Sequence, residues 1–197
     1  MILLRARGFG LSLYPLPPLQ NPMKLPGTET QPENVHIAMG KLEIRPGMTF
    51  LDIGCGSGAV SLAASRFTDK IYGIDRRAEA VEISRARVPG GTFLCGEADG
   101  LLGEMPKIDR CFIGGTRGID AFFPALMERL TPGSVVVADL ARIGIASKVA
   151  SLMKKEGIFE ELLQIGISRG YELAGDIALR PVNPIFMVVG RIPGRFE

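Results

Sequence analysis

The sequence predicts an α/β domain on a doubly wound, Rossmann-like sheet, mostly parallel, with an antiparallel last strand. Three observations carry this expectation. From residue 47 onward, short apolar runs alternate with amphipathic stretches of helical period, the pattern of strands covered on both faces. The first apolar run opens into a cluster of alternate glycines, TFLDIGCGSGAV at 49–60, where a strand would turn into a helix. Finally, two apolar runs near the C-terminus have no helical stretch between them and so should pair antiparallel.

Taken in order, residues 1–29 read as a proline-rich N-terminal arm, because Pro15, Pro17, Pro18, Pro22 and Pro26 forbid a helix there. The domain proper is expected over 30–197. A helix starts at TQPE, with Thr30 as cap, Pro32 in the first turn and Glu33 closing a capping box. Val35, Met39 and Leu42 continue its apolar stripe. Strands are predicted at Thr49–Ile53, Lys70–Asp75, Thr92–Cys95, Arg110–Ile113 and Ser134–Ala138. The helices between and after them are Ala59–Phe67, Ala78–Arg87, Ile119–Leu130 and Ile143–Glu156. Right-handed crossovers then place helices on both faces. Phe159–Ser168 and Ile185–Val189 are the two strands of the tail.

Composition narrows the function. The chain has 197 residues, 46% apolar and 22% charged, and 23 basic against 21 acidic side chains give a net charge of +2. That balance, with no Trp and three Tyr, predicts no nucleic-acid partner, since base stacking needs aromatic platforms. Arg5 and Arg7 interrupt the apolar start, which does not read as a secretory signal. No run approaches the ~18 apolar residues of a membrane span, so no membrane partner is expected. Cys55, Cys95 and Cys111 are read as reduced thiols of a cytoplasmic protein, with Cys95 and Cys111 buried in strands. His36 is the only histidine, and a Cys/His metal site cannot be assembled.

Gly54, Gly56 and Gly58 fall where open α/β sheets bind ligands, beyond the strand ends. The pattern also satisfies the dinucleotide fingerprint G-x-G-x-x-G/A. Two acids sharpen it. Asp52, inside the strand end, is placed to meet a cationic or amine-bearing ligand, or to brace the loop through backbone N–H groups. Asp75, ending the second strand, can accept both hydroxyls of a ribose. Together they suit a nucleoside with an amino-acid tail and a sulfonium.

This D-x-G-x-G-x-G followed by G-I-D resembles the class I S-adenosylmethionine-dependent methyltransferases. Further segments narrow the resemblance. TQPENVHIAMGKLEIRPG (30–47), CGEADG (95–100) and DRCFIGGTRG (109–118) are similar to segments of the decarboxylating cobalt-precorrin-6B C15-methyltransferases of cobalamin biosynthesis, as are ISRGYEL and LRPVNPIFMVVG in the tail. The resemblance spans about residues 20–190. Two positions depart from it: Glu97 stands where the family has Asp, and Cys95 where it has an acid.

The resemblance implies S-adenosylmethionine held by Thr30, Asp52, Gly54, Cys55, Gly56, Ser57, Gly58, Asp75, Glu97 and Ala98. Gly114, Gly115 and Thr116 stand where many amine methyltransferases carry a gripping D/N-P-P-Y, and a flat glycine loop can border a wide planar tetrapyrrole instead. Arg117, Arg142 and Arg169 are the candidates for that substrate's carboxylates. No residue is assigned to the chemical step, because an electron-rich conjugated carbon needs no strong base to take a methyl group. The implied reaction is methylation at C15 with decarboxylation of the C12 acetate, by a homotetramer that can work beside a separate C5-methyltransferase. The rival functions are an RNA (tRNA) methyltransferase and a non-catalytic nucleotide-binding module.

Overall fold

The structure, a computed structural model, describes residues 29–194. The arm expected at 1–29 therefore lies outside the described residues, apart from Glu29. The chain runs α1 (Pro32–Leu42), β1 (Phe50–Ile53), α2 (Ala59–Ala64), β2 (Ile71–Asp75), α3 (Ala78–Arg87), β3 (Thr92–Cys95) and the short α4 (Ala98–Leu101). A 3-10 turn (Leu102–Glu104) leads to β4 (Ile108–Ile113), α5 (Ile119–Arg129), β5 (Leu130–Leu140), α6 (Ile143–Lys155), β6 (Phe159–Ile165), β7 (Ser168–Leu173), β8 (Asp176–Pro181) and β9 (Ile185–Arg191).

Seven strands form one sheet in the order β3-β2-β1-β4-β5-β9-β6. The expected antiparallel strand is β9, which runs against both of its neighbours, β5 and β6. Every residue of β1 is buried, as an apolar run at the centre of a doubly covered sheet requires. Successive side chains serve opposite faces. Phe50, Phe112, Val135 and Val137 pack with Val35, Ala38 and Leu42 of α1 and Val60 of α2. Leu51, Ile53, Val136 and Ala138 pack instead with Phe122 and Leu126 of α5 and Val149 of α6.

The departures from expectation have local causes. Thr30 does not cap α1: Gln31 is the cap residue and makes no side-chain capping bond. The capping box fails because Arg169 takes both oxygens of Glu33, Nη2 to Oε2 at 2.8 Å. α2 ends at Ala64, earlier than expected, where the Ser65 hydroxyl turns back to the Leu62 carbonyl and Thr68 reaches across to that of Met48. β5 begins at Leu130, earlier than expected, because the Ser134 hydroxyl accepts from Thr131 N and donates to Ile108 O, holding the strand's first residues beside β4.

The strand expected over 159–168 is cut at Ile165, and Ser168 instead opens a separate two-stranded ribbon, β7–β8. Its turn uses Ala174 and Gly175, both at positive φ (52° and 83°), the backbone of a two-residue hairpin. Cys111 is buried as expected, but Cys95, the last residue of β3, is exposed. It lies past the helices that cover the strand's centre, and only Phe93 of β3 is fully buried.

Candidate functional site

The C-terminal ends of the parallel strands surround a cleft of about 460 Å³, within the size range of small-molecule sites. Its first wall is the turn after β1. Gly54 sits at φ +79°, and a Cβ there would stand 2.5 Å from the backbone nitrogen of Gly115. Gly58 heads α2 at φ +73°, where a Cβ would come within 3.1 Å of the Ser84 Cα on α3. Two of the three glycines thus answer first to the protein's own packing. The N–H groups of Gly54 and Cys55 both donate to Ile74 O, at 2.7 and 3.1 Å, tying the loop to β2.

Asp75 ends β2 at 5% exposure. Its Oδ2 accepts from Gly56 N (3.0 Å) and Arg77 Nη2 (3.1 Å), its Oδ1 from Arg77 N (3.0 Å) and Nε (3.1 Å). Burial alone would raise its pKa, but these hydrogen bonds outweigh that and hold it below the ordinary carboxylate value. It is a fixed negative charge.

Asp52 is the opposite case. It is 1% exposed and lies under the loop, outside the cleft lining. Its Oδ2 accepts from the Ser61 hydroxyl at 2.7 Å, while Oδ1 has no partner. Burial, with a smaller push from the Asp75 charge, lifts its pKa to about 7 against the Ser61 hydrogen bond. Of the two roles expected for Asp52, contact with a ligand is not what its position provides, and its bond goes to a helix hydroxyl instead of the loop's N–H groups. The Cys55 side chain also points inward. Burial above all, then the Asp52 charge, pushes its thiol up to about 12.

The expected site residues separate accordingly. Gly54, Asp75, Glu97 and Ala98 line the cleft together with Gly114, Gly115, Thr116, Arg117 and Arg142. Arg117 Nε stands 4.0 Å from Glu97 Oε1 across it. Thr30, Asp52, Cys55, Gly56, Ser57 and Gly58 are not in the lining. The Ser57 hydroxyl donates to Glu29 at 2.7 Å and receives Arg87 at 3.3 Å, outside the cleft. Arg169 lies on the ribbon, engaged with Glu33 and Gln31, and does not reach the cleft.

Sequence reasoning missed Arg77, which holds Asp75 from within the lining, and Phe122, an α5 side chain that closes its apolar side. Nothing in the helical pattern of α5 singles out Phe122. It also missed Asp139, near the end of β5, whose buried Oδ1 has no partner. A signal for Asp139 existed: an acid inside the apolar run VVVADL, as Asp52 is inside FLDIG. Among the described residues no group of three or more His, Cys, Asp or Glu could hold a metal ion, and no helix is long and apolar enough to cross a membrane.

The family model described as the precorrin methyltransferase domain matches residues 26–190. A protein of Methanosarcina acetivorans named a probable cobalt-precorrin-6B C(15)-methyltransferase (decarboxylating) is 38% identical over 175 residues, 84% of this chain and 94% of that one. Among solved structures, a precorrin-8W decarboxylase of Methanobacterium thermoautotrophicum superposes with a TM-score of 0.79 at 22% identity, covering 83% of this chain and 92% of that one. The C-terminal domain of precorrin-6Y C5,15-methyltransferase from Rhodobacter capsulatus gives 0.74 at 26% identity, covering 84% and 91%.

Proposed function

The chain belongs to the precorrin methyltransferase domain family, and from that membership we propose its reaction: S-adenosylmethionine-dependent methylation of a cobalt-precorrin at C15, with decarboxylation of the C12 acetate, in cobalamin biosynthesis. The observation that carries the reading is one cleft with two unlike walls. One wall offers a fixed carboxylate beside a glycine turn, and the other is the bare Gly114-Gly115-Thr116 loop flanked by arginines.

The first wall fits S-adenosylmethionine. Asp75 supplies the charged acceptor for ribose hydroxyls, Gly54 keeps the turn free of side chains, and Glu97 and Ala98 stand where the adenine is expected. When bound, the sulfonium supplies an electrophilic methyl group, so no strong base is asked of the protein. The protein's part is alignment and exclusion of water. Gly114 and Gly115 leave room for a planar ring, while Arg117 and Arg142 can pair with its carboxylates. Arg77 holds the carboxylate a ribose would use, so cofactor binding requires its guanidinium to share or yield that position.

The ribbon supports a homotetramer. Leu173, Ile177 and Leu179 on it are 56%, 76% and 68% exposed, apolar area that a second copy would cover. Light scattering that shows a monomer at micromolar concentration would remove this part. The free thiols Cys55, Cys95 and Cys111 suit the cytoplasm, where a separate C5-methyltransferase could supply or consume the substrate.

The decisive assay incubates the purified protein with labelled methyl donor and either total tRNA or a cobalt-precorrin mixture. Label in the corrinoid with release of carbon dioxide is expected. Label in tRNA, none in the corrinoid and no carbon dioxide would establish the RNA methyltransferase instead.

A further inference from the structure

Strand register places one more acid beside this site, one strand beyond its glycine loop. Ile53 pairs with Ile113, and Ile113 with Ala138, so the next residues of the three strands, Gly54, Gly114 and Asp139, stand in one row. Two of them carry no side chain. Asp139 is the first side chain along that row, about one strand spacing (~4.8 Å) from Gly114. By alternation it shares a face with Val137, the face on which α1 packs. α1 brings Asn34, 1% exposed, to the same end of that layer, and the Oδ1 atoms of Asn34 and Asp139 are both buried acceptors without a donor. Asp139 lies outside the cleft lining, and a planar ring laid across the glycine shelf would extend over it.

We propose that Asp139 is a catalytic acid–base residue that moves the proton required by decarboxylation. The inference rests on the reaction proposed above. Once the meso carbon has gained its methyl group, the ring carries a positive charge. Cleavage of the bond to the acetate carboxylate releases carbon dioxide, and the electron pair enters the ring, leaving an exocyclic methylene and no net charge. The methylene carbon then forms a C–H bond with the Asp139 proton and becomes a methyl group. The resulting carboxylate takes the hydrogen of the newly methylated meso carbon as a proton, which restores conjugation and returns Asp139 to its starting form.

The group suits the task, since burial alone lifts the Asp139 pKa to about 6, close to where a general acid and base works well near neutrality. Charged groups of the surrounding elements are turned elsewhere. Glu33 on α1 is paired with Arg169, His36 is exposed, and Arg191 of β9 lies at the other end of the sheet, opposite Val135.

The test compares wild type with Asp139→Asn and Asp139→Glu in single-turnover reactions, with calorimetry of S-adenosylmethionine on each. For D139N we expect methyl transfer and carbon dioxide release within a few-fold of wild type. Appearance of the final conjugated product, followed by its absorption spectrum and by deuterium uptake into the new methyl group, should slow by about 100-fold, with cofactor affinity unchanged. D139E should recover part of that rate. In the free protein, difference infrared spectra of wild type against D139N should show one carboxylic acid that ionises near pH 6. A D139N variant that completes the product at the wild-type rate overturns the role, and so does one that loses methyl transfer, carbon dioxide release and final product together. A wild type that neither methylates nor decarboxylates the corrinoid overturns the functional reading and this inference with it.

Discussion

At the β2 end of the ligand-facing edge, Asp75 receives four hydrogen bonds and its pKa is lowered. At the β5 end of the same edge, Asp139 has a buried oxygen with no donor, and its pKa is raised to about 6. Both acids sit at strand ends in similar apolar runs. The difference lies in what surrounds them. Beside Asp75 a tight turn aims backbone N–H groups inward and Arg77 folds back on it, so the charge is stabilised before any ligand arrives. Beside Asp139 the neighbouring strands contribute Gly114 and Met187, which offer no side-chain donor. A prepaired carboxylate suits recognition, and a carboxyl with one oxygen buried away from any donor suits proton transfer.

The comparison can be broken most forcefully at Gly54, where the recognition end is held by packing. Gly54→Val should destabilise the protein by about 4 kcal/mol through overpacking and backbone strain, because its Cβ meets Gly115 N at 2.5 Å. Urea unfolding measures it, with Gly144→Ala as control, since a Cβ at Gly144 meets nothing within 4 Å. A Gly54→Val variant as stable as the control would mean that the glycine is kept for the ligand alone.

Asp52 sharpens the comparison from within the recognition end, since it behaves as Asp139 does. With its folded pKa raised from 3.8 to about 7, the folded state binds the proton more tightly than the unfolded chain. Stability should therefore fall as pH rises from about 4 to 7 and level off above. Asp52→Asn removes that loss, so its advantage over wild type should be small at pH 4 and reach about 4 kcal/mol at pH 8. Thermal melts across that range measure it, and an advantage independent of pH would show that Asp52 does not take up a proton on folding as its burial implies.

The smallest effect tests Asp75 itself. Asp75→Ala should weaken S-adenosylmethionine by about 2 kcal/mol, the worth of charge-assisted hydrogen bonds to a ribose, as read by calorimetry. Equal affinity in the two proteins would remove Asp75 from the cofactor site. Binding of NADH in place of S-adenosylmethionine to the wild type would remove the cofactor assignment.

Much of this was legible in the residues. The apolar runs of β1, β2, β4 and β5 and the stripes of α5 and α6 appear near their expected places, because each buries a continuous face and its period is written in the chain. The ribbon β7–β8 was not legible, since it packs on no core and so lacks the alternation that marks a strand. α4 is four residues long, too short for a helical period to show. Cys95 is exposed although a strand residue is buried on average, and nothing local marks the point where cover ends.

The sequence by itself determined the sheet, its turn of glycines and the acids that end its strands, since these follow from local periodicity and from conformations open to few residue types. Only the tertiary structure decided which acids are charged. Asp52, Asp75 and Asp139 look alike in the chain, and their protonation depends on which donors the folded backbone turns toward each: Ser61 of α2 for Asp52, Arg77 and Gly56 for Asp75, and none for the buried oxygen of Asp139. It also decided that Gly54 is needed against Gly115 and Gly58 against Ser84, contacts between segments far apart in sequence. Charge in a protein interior is set by desolvation and by the donors that reach it, and both are properties of the packed chain.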